Sequence, residues 1–306
     1  MPAVGFICPG TTDKVAARDC FERCVQGKRC LTLATLRQIF PSYQSDKPAS
    51  GVTSMLNGTR MEFLRRTAPY YIDPYDYVYM IRGAAAHAEL EAGGEESTSL
   101  VEARFELNGV RGVIDSYEVQ EGEGILTDYK LAGSFAVARA LGVVVAGKRP
   151  DPTGEIYKRS GRWGKAGEPK MVTAFKRQAS AVKMLDWELQ LNYYRLMIEA
   201  EGLPVDRMQI EAVVRDGNTL SARSRGLASP VYLIPVRRYD DQEVKDYFTA
   251  KRQALLEAHR TGQMPPPCAE EETWEGRRCE RYCEVWEHCD AGRKRRNKEL
   301  ALELFE

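Results

Sequence analysis

The sequence RGVIDSYEVQEGEGILTDYK, residues 111–130, decides the fold that we expect for this chain. Two short runs of β-branched and aliphatic residues, 112–117 and 125–129, flank the turn-rich segment QEGEG. This pattern predicts a β-hairpin. The preceding segment SLVEARFEL alternates as a strand does, and NGVRG follows it as a turn. We therefore expect three consecutive antiparallel strands.

The hairpin carries two acids and a lysine. Asp115 lies in its first strand, and Asp128 and Lys130 lie in its second. Because side chains alternate along a strand, Asp128 and Lys130 share one face and Tyr129 points away. Neighbouring strands lie about 5 Å apart, so we expect the two acids to meet around one divalent cation. Oxygen ligands favour Mg²⁺ or Mn²⁺ over zinc. Together these residues outline a phosphodiester-cleaving site, although a D-x-K triplet also occurs by chance at strand ends.

The composition allows one large domain or a core with appendages. The chain has 306 residues, 43% of them hydrophobic, and a formal net charge of zero. The charge is uneven, because residues 147–183 hold ten Lys/Arg against three Asp/Glu, whereas residues 87–123 hold two against ten. Two solvated faces would explain this, and so would a cation site beside a phosphate-binding surface. Neither a run of about 18 apolar residues nor a secretory signal is found, so we expect no membrane span and a cytoplasmic location.

Further helices and strands are expected on both sides of the hairpin. Helical spacing begins near Asp73 or Pro74 and stops at Gly93 and Gly94, and the clearest helix covers residues 179–201. Residues 133–147 fit either a helix or a strand, with a helix favoured at the start, and residues 147–168 are predicted to form a mobile loop. The other expected elements are a short helix at 31–40, a loop into a helix at 50–67, strands in MQIEAVVRDG and PVYLIPVRR, a helix at 240–259 and a linker at 261–267.

All eight cysteines fall in two terminal clusters. Cys8, Cys20, Cys24 and Cys30 have the spacing C-x11-C-x3-C-x5-C, and Cys268, Cys279, Cys283 and Cys289 have the spacing C-x10-C-x3-C-x5-C. In a chain without a secretion signal, such clusters indicate metal sites more often than disulfides. We expect an N-terminal cysteine module at 1–31, a core at 32–262 and a C-terminal cysteine module with a basic tail at 263–306.

The acids and the lysine are part of a series of four motifs. In chain order these are GAAAHAELE with His87, GVID, TDYK, and QLNYY with Gln190 and Tyr194. In this order the sequence resembles the PD-(D/E)xK nuclease superfamily, in particular the RecB-like and CRISPR-associated iron–sulfur exonucleases. The resemblance covers residues 75–240 and the C-terminal cysteines, with the leading acid in GVID rather than in a literal Pro-Asp. It implies an α/β fold: a restriction-endonuclease-like core, made of a mixed sheet flanked by helices, with cysteine-rich metal-binding terminal modules.

The resemblance also implies roles for individual residues. Asp115 and Asp128 would hold Mg²⁺ or Mn²⁺, with the carbonyl of Tyr129 as a third ligand and His87 completing the shell. Lys130 would orient or activate the attacking water. Gln190 and Tyr194 would brace the site and contact DNA, although helix packing explains their spacing equally well. A lone histidine is more often structural, and for the extra acids Glu91 and Glu102 solvation is the commoner role.

For the C-terminal cysteines the resemblance implies a [4Fe-4S] cluster, with zinc as the alternative. Cys279, Cys283 and Cys289 match three ligands of the family. The fourth would be Cys268 or a cysteine of the N-terminal set folding back. The four N-terminal cysteines would form a second site, for zinc or a cluster, or would donate a ligand to the C-terminal site. The third alternative is that they are unligated structural cysteines.

The expected function is therefore a metal-dependent deoxyribonuclease, an exonuclease on single-stranded or frayed DNA. A non-catalytic nucleic-acid-binding adaptor with zinc modules and a site-specific endonuclease are the alternatives. DNA, as single strands or duplex ends, is the expected partner, together with a recombination, repair or CRISPR partner protein, and the pathway stays open. Cleavage polarity, preference for DNA or RNA, and oligomeric state stay open.

Overall fold

The structure is a computed structural model that describes residues 3–40, 50–93, 99–162 and 164–303, apart from the side chains of residues 90, 91 and 298–303. It is a mixed α/β fold with several sheets and flanking helices, as expected. The strands are β1 (Ala3–Ile7), β2 (Lys14–Ala16), β3 (Tyr70–Ile72), β4 (Ser99–Leu107), β5 (Val110–Gln120), β6 (Glu123–Ala132), β7 (Val143–Pro150), β8 (Met171–Arg177), β9 (Arg207–Val214) and β10 (Val231–Pro235).

The α-helices lie between these strands or after β10. They are α1 (Ala17–Glu22), α2 (Leu33–Ile39), α3 (Val52–Met55), α4 (Thr59–Thr67), α5 (Pro74–Gly93), α6 (Ser134–Ala140), α7 (Leu185–Ala200), α8 (Leu220–Ser224), α9 (Asp241–Thr261) and α10 (Asp290–Glu303). Short 3-10 helices lie at Ala179–Ala181 and Trp286–His288, and one π-helical turn lies at Arg278–Tyr282. None of the described helices is both long and apolar enough to cross a membrane.

The strands form three sheets. Their orders are β2-β1-β3, β10-β9-β6-β5-β4 and β7-β8. In the first sheet β1 pairs antiparallel with β2 and parallel with β3. In the second, β6 and β9 pair in parallel, whereas β4 with β5 and β9 with β10 pair antiparallel. The mixed sheet agrees with the sequence-based expectation.

The predicted run of three strands around residues 111–130 is confirmed. Its two connections are two-residue turns, Asn108-Gly109 and Glu121-Gly122, and φ is positive at all four residues. Positive φ at both central residues is the mark of a type I′ turn, whose twist matches that of the flanking strands. The Asn-Gly turn therefore fixes the register of β4 against β5.

Two sequence-based expectations need correction. Residues 147–168 are not simply a loop, because β7 extends to Pro150 and pairs with β8 over most of its length. The helix expected at 179–201 begins at Leu185, after the short 3-10 helix. The helices expected at 31–40, 50–67, 73–93 and 240–259 and the strands at 208–217 and 230–238 are present with small shifts of their ends. Gly94 lies outside the described residues.

The chain forms two compact units. Unit 1 comprises Met1–Val119, Asn192–Pro204 and Arg238–Glu306, and unit 2 comprises Gln120–Leu191 and Val205–Arg237. Buried residues of unit 1 include Phe6, Leu36 and Ile114, and those of unit 2 include Leu126 and Ile210. The predicted division at residues 31 and 262 stays a prediction.

Candidate metal centres

Unit 1 gathers one histidine and two acids. His87 lies on α5, Glu102 on β4 and Asp115 on β5. The Nδ1 atom of His87 lies 2.8 Å from Oε1 of Glu102 and 3.6 Å from Oδ1 of Asp115. All three ligand atoms lie within 4.8 Å of one another. Among the described residues, this is the group of histidine, cysteine and acid ligand atoms that meets this spacing.

Glu102 reaches this group through an unusual backbone conformation. The antiparallel register pairs Val101 with Ser116, which places Glu102 across from Asp115. The φ of Glu102 is +50°, in the left-handed region, which costs a residue other than glycine about 1–2 kcal/mol. Backbone strain of this kind persists only where the surrounding structure holds it, and it concentrates at functional sites. Here it accompanies a carboxylate that contacts His87.

The donor set of this triad fits a divalent cation. The side chains of His87, Glu102 and Asp115 are 37%, 20% and 9% exposed, so the site is open to solvent on the histidine side. Two carboxylates at this distance repel each other unless a cation or a proton is shared between them. Carboxylate oxygens with one imidazole suit Mn²⁺ or Mg²⁺, and the open side leaves room for the waters that these ions retain.

Unit 2 holds the second acid and the lysine in one hydrogen-bonded group. Asp128 is 1% exposed, and its Oδ2 lies 2.6 Å from Nζ of Lys130. Gln190 on α7 donates from Nε2 to Oδ1 of Asp128 at 3.0 Å and accepts from Nζ of Lys130 at 3.1 Å. Lys130 approaches Oδ2 outside hydrogen-bond geometry, so this buried oxygen has an ion-pair contact but no directed hydrogen bond. Such an oxygen fits a metal ligand.

The remaining predicted site residues have the following positions. Tyr129 is half-buried between Asp128 and Lys130 on β6, and its role as a carbonyl ligand stays a prediction. Tyr194 is 4% exposed and packs in unit 1 so closely on Gly112 that a Cβ there would overlap its ring. DNA contacts of Gln190 and Tyr194 stay predictions, as does the sharing of one ion by Asp115 and Asp128. The side chain of Glu91 lies outside the described part.

The four C-terminal cysteines line one cavity in unit 1. Its volume is about 310 Å³, and its walls include Cys268, Cys279, Cys283 and Cys289 together with Met61 and Leu64 of α4. No N-terminal cysteine lines it. The fourth thiol that lines this cavity is Cys268, and ligation by any of the four stays a prediction. Gly58 lies so close that a Cβ on it would overlap the sulfur of Cys268.

Burial raises the pKa of three of these thiols. Desolvation raises the pKa of Cys283 to about 12 and also raises the pKa of Cys268 and of Cys279. Neighbouring thiolates add to the increase for Cys268 and Cys279. A bound cation reverses this balance, because coordinating thiols are deprotonated outright. Arg60 and Arg295 also line the cavity and would offset the negative charge of a thiolate-bound group.

The N-terminal cysteines line a separate and much smaller cavity. Cys8 follows β1, Cys20 lies on α1, and Cys24 and Cys30 lie in the loop before α2. The cavity that all four line has a volume of about 20 Å³. Burial raises the pKa of Cys8 and Cys20, and the neighbouring thiolates raise it further. This volume is about that of one water-sized sphere.

Sulfur spacing does not distinguish the two cysteine sites. All eight cysteines are free thiols. In the described chain no three cysteine sulfurs lie within 4.8 Å of one another. Tetrahedral zinc, with Zn–S bonds of about 2.3 Å, holds its sulfurs about 3.8 Å apart. A four-iron cluster is larger than a single ion and holds its thiolates further apart. The two sites differ in volume, about 310 Å³ against about 20 Å³, and the metal group that each would hold stays a prediction.

No protein-family model matches the sequence, and no curated protein matches it. Among solved structures, the chain is similar to one described as the crystal structure of SSO0001. The two chains are 12% identical, the TM-score is 0.42, and the alignment covers 85% of this chain and 96% of that chain. A likeness at this level carries no argument about function.

Proposed function

We propose that this protein is a metal-dependent nuclease that hydrolyses phosphodiester bonds in DNA. The observation that supports this most is the triad of His87, Glu102 and Asp115, whose ligand atoms lie within 4.8 Å of one another. A second support is the buried pair of Asp128 and Lys130, in the D-x-K order that resembles the PD-(D/E)xK superfamily. The same resemblance makes the mixed sheet a restriction-endonuclease-like core in this proposal.

Each side chain has a defined task in the proposed reaction. Asp115 and Asp128 hold Mg²⁺ or Mn²⁺, with His87 and Glu102 beside Asp115. The ion, when bound, lowers the pKa of a water ligand and offsets the charge that develops on the phosphate. Lys130 orients the attacking water and faces the phosphate, and Gln190 fixes both Asp128 and Lys130 through its amide. We propose an exonuclease that acts on single-stranded or frayed ends.

Two further metal groups belong to the proposal. At the C-terminal cavity Cys268, Cys279, Cys283 and Cys289 hold a [4Fe-4S] cluster, which fastens the segment that carries them onto α4. At the N-terminal cavity Cys8, Cys20, Cys24 and Cys30 hold a single zinc ion, because the volume there suits one ion and not a cluster. Binding draws these four sulfurs closer together, and metal-binding energy then contributes to folding.

Cleavage of end-labelled single-stranded DNA tests the catalytic assignment. Asp115→Asn, Asp128→Asn and Lys130→Ala should each lower the cleavage rate in Mg²⁺ or Mn²⁺ about a hundredfold or more. Glu118→Gln is the matched control, since Glu118 is an exposed acid on the same strand as Asp115. Chelator should abolish activity of the unmodified protein. Undiminished cleavage by all three variants would refute the assignment.

A circular single-stranded substrate separates the alternatives. An exonuclease leaves the circle intact and degrades the linear form, whereas an endonuclease opens the circle. DNA binding without any metal-dependent cleavage would instead favour the adaptor role.

A further inference from the structure

A two-stranded arm extends from unit 2. β7 and β8 pair antiparallel, and backbone hydrogen bonds continue beyond both strands. Tyr157 donates its N–H to the carbonyl of Glu168 at 2.9 Å, and Lys170 donates to the carbonyl of Glu155 at 2.8 Å. Near the tip Gly161 pairs with Gly164. Residues 143–162 and 164–177 therefore form one antiparallel ribbon, which we call the basic arm.

The base of the basic arm is anchored and its tip is closed on itself. At the base, a Cβ on Gly226 would overlap both Phe175 and Val143, so these side chains pack directly on that glycine. At the tip, the ring of Tyr157 covers Gly164 in the same way. The arm holds its shape through its own contacts, although most of its surface is exposed.

The acids of the basic arm are all engaged within the arm itself. Asp151 accepts hydrogen bonds from the backbone and side chain of Thr153, which lower its pKa. Glu155 pairs with Lys170 at 2.5 Å. Glu168 accepts from the backbone N–H of Lys165 at 2.9 Å. These three carboxylates therefore accept from local donors. Glu155 forms an ion pair with Lys170, and the charges of Lys170 and Arg149 also lower the pKa of Asp151.

Most of the basic side chains of the arm form no ion pair with a carboxylate. In the described residues of the arm, six exposed cations have no carboxylate within 4.0 Å of their nitrogens: Lys148, Arg149, Lys158, Arg159, Lys165 and Lys176. They lie on both strands and at the tip. Eight residues of β7 at about 3.3 Å each span about 26 Å, a length that covers several phosphates of a nucleic-acid strand.

We propose that the basic arm is a binding site for the phosphodiester backbone of a nucleic acid. The proposal rests on the proposed nuclease function for the choice of ligand, and it adds the surface that holds the strand. The exposed cations would neutralise phosphates and release counterions, so binding is independent of sequence and depends strongly on salt. A two-stranded ribbon also has the width to enter the major groove of duplex DNA, so both single and double strands are ligands of the same chemistry.

Fluorescence anisotropy tests the basic arm apart from cleavage. The full-length protein, with the metal groups of its cysteine sites in place, is titrated onto a labelled 30-nucleotide thymidine oligonucleotide and onto a labelled duplex. No Mg²⁺ or Mn²⁺ is added, and KCl is varied from 50 to 300 mM. The arm variant carries Lys158→Ala, Arg159→Ala and Lys165→Ala. The control removes three exposed charges elsewhere: Arg18→Ala, Arg223→Ala and Arg260→Ala.

The arm variant should bind at least about tenfold more weakly than the control at 100 mM KCl, and its salt slope for single strands should fall by about 2. The control should stay within about twofold of the unmodified protein. Both variants should unfold at the same temperature as the unmodified protein. Equal affinity and slope in the two variants would overturn the basic arm even if the unmodified protein binds and cleaves. An arm effect in a protein that never cleaves would support the arm and refute the nuclease function.

Discussion

The two cysteine sites have nearly the same spacing in sequence but different surroundings in space. Their spacings differ by one residue in the first gap. The C-terminal four line a cavity of about 310 Å³, and the N-terminal four line one of about 20 Å³. Spacing along the chain therefore does not decide what a cysteine set encloses. The packing partners of the set decide it.

Those partners are distant for one site and local for the other. The C-terminal cavity is walled by α4, and Arg60 on that helix donates to the carbonyl of Pro265, 205 residues away. The N-terminal cavity is lined only by residues 8–36. A group bound at the C-terminal site joins distant segments, whereas an ion at the N-terminal site stiffens one short stretch. The effects of mutation should differ accordingly.

The largest effect is expected for Cys283→Ser, which removes a buried thiol of the C-terminal site. Iron content and the broad visible absorbance should both be lost, and the free energy of unfolding should fall by about 5 kcal/mol or more, because metal binding contributes to folding. Metal analysis, absorption spectroscopy and thermal unfolding measure the three quantities. Zinc content should not change. A colourless, zinc-loaded unmodified protein would contradict the cluster.

A smaller effect is expected for Cys20→Ser at the N-terminal site. One zinc per chain should be lost while iron stays constant, and the free energy of unfolding should fall by about 3 kcal/mol, since the stretch involved is short. Native mass spectrometry gives both stoichiometries on one sample. Loss of iron in this variant would mean that the two sites are not independent.

Gly58→Ala probes the close approach between α4 and Cys268. The φ of Gly58 is −61°, so alanine introduces no backbone strain, and the added methyl would overlap Cys268 and lie 3.2 Å from Oε2 of Glu272. Overpacking of this kind costs about 1–3 kcal/mol and should lower iron occupancy without abolishing it. Gly83→Ala is the matched control, because nothing lies within 4 Å of a Cβ there. Full iron occupancy in Gly58→Ala would argue against Cys268 as the fourth ligand.

The smallest effect is expected for Arg60→Gln. Arg60 donates to the carbonyl of Pro265 at 2.7 Å and contacts the sulfur of Cys289 at 3.8 Å. Losing these contacts should cost about 1 kcal/mol, seen as a lower urea midpoint, with iron content retained. Arg18→Gln, in an exposed pair with Glu22, should change the midpoint by less. Iron loss in Arg60→Gln would show that its charge is needed for loading.

The sequence predicts the hairpin and its three charged residues because period-two alternation and Gly-rich turns are local signals. The sequence also indicates the position of Glu102, which we expected to be a solvated acid. Counting back from the Asn108-Gly109 turn pairs Glu102 with Asp115, so the register alone brings the two acids together. The left-handed φ of Glu102 has no such signal in the sequence.

The basic arm was the main failure of prediction from sequence. Its Gly, Pro and lysine content is typical of a loop, and its strand pairing has no strong alternation of apolar residues. The volumes of the two cysteine cavities also cannot be predicted from the sequence, because α4, which lines the C-terminal cavity, is far from those cysteines in sequence. Signals within about ten residues were readable, whereas contacts between distant segments were not.

Because α4 forms one wall of the C-terminal cavity, this cavity can form only late in translation. Met61 and Leu64 leave the ribosome about 200 residues before the cysteines that cover them. At 5–20 residues per second this interval lasts about 10–40 s, during which Met61 and Leu64 lack the cysteines that line the cavity with them. Chaperone occupancy of nascent chains should therefore be highest in this window, and late delivery of iron should prolong it.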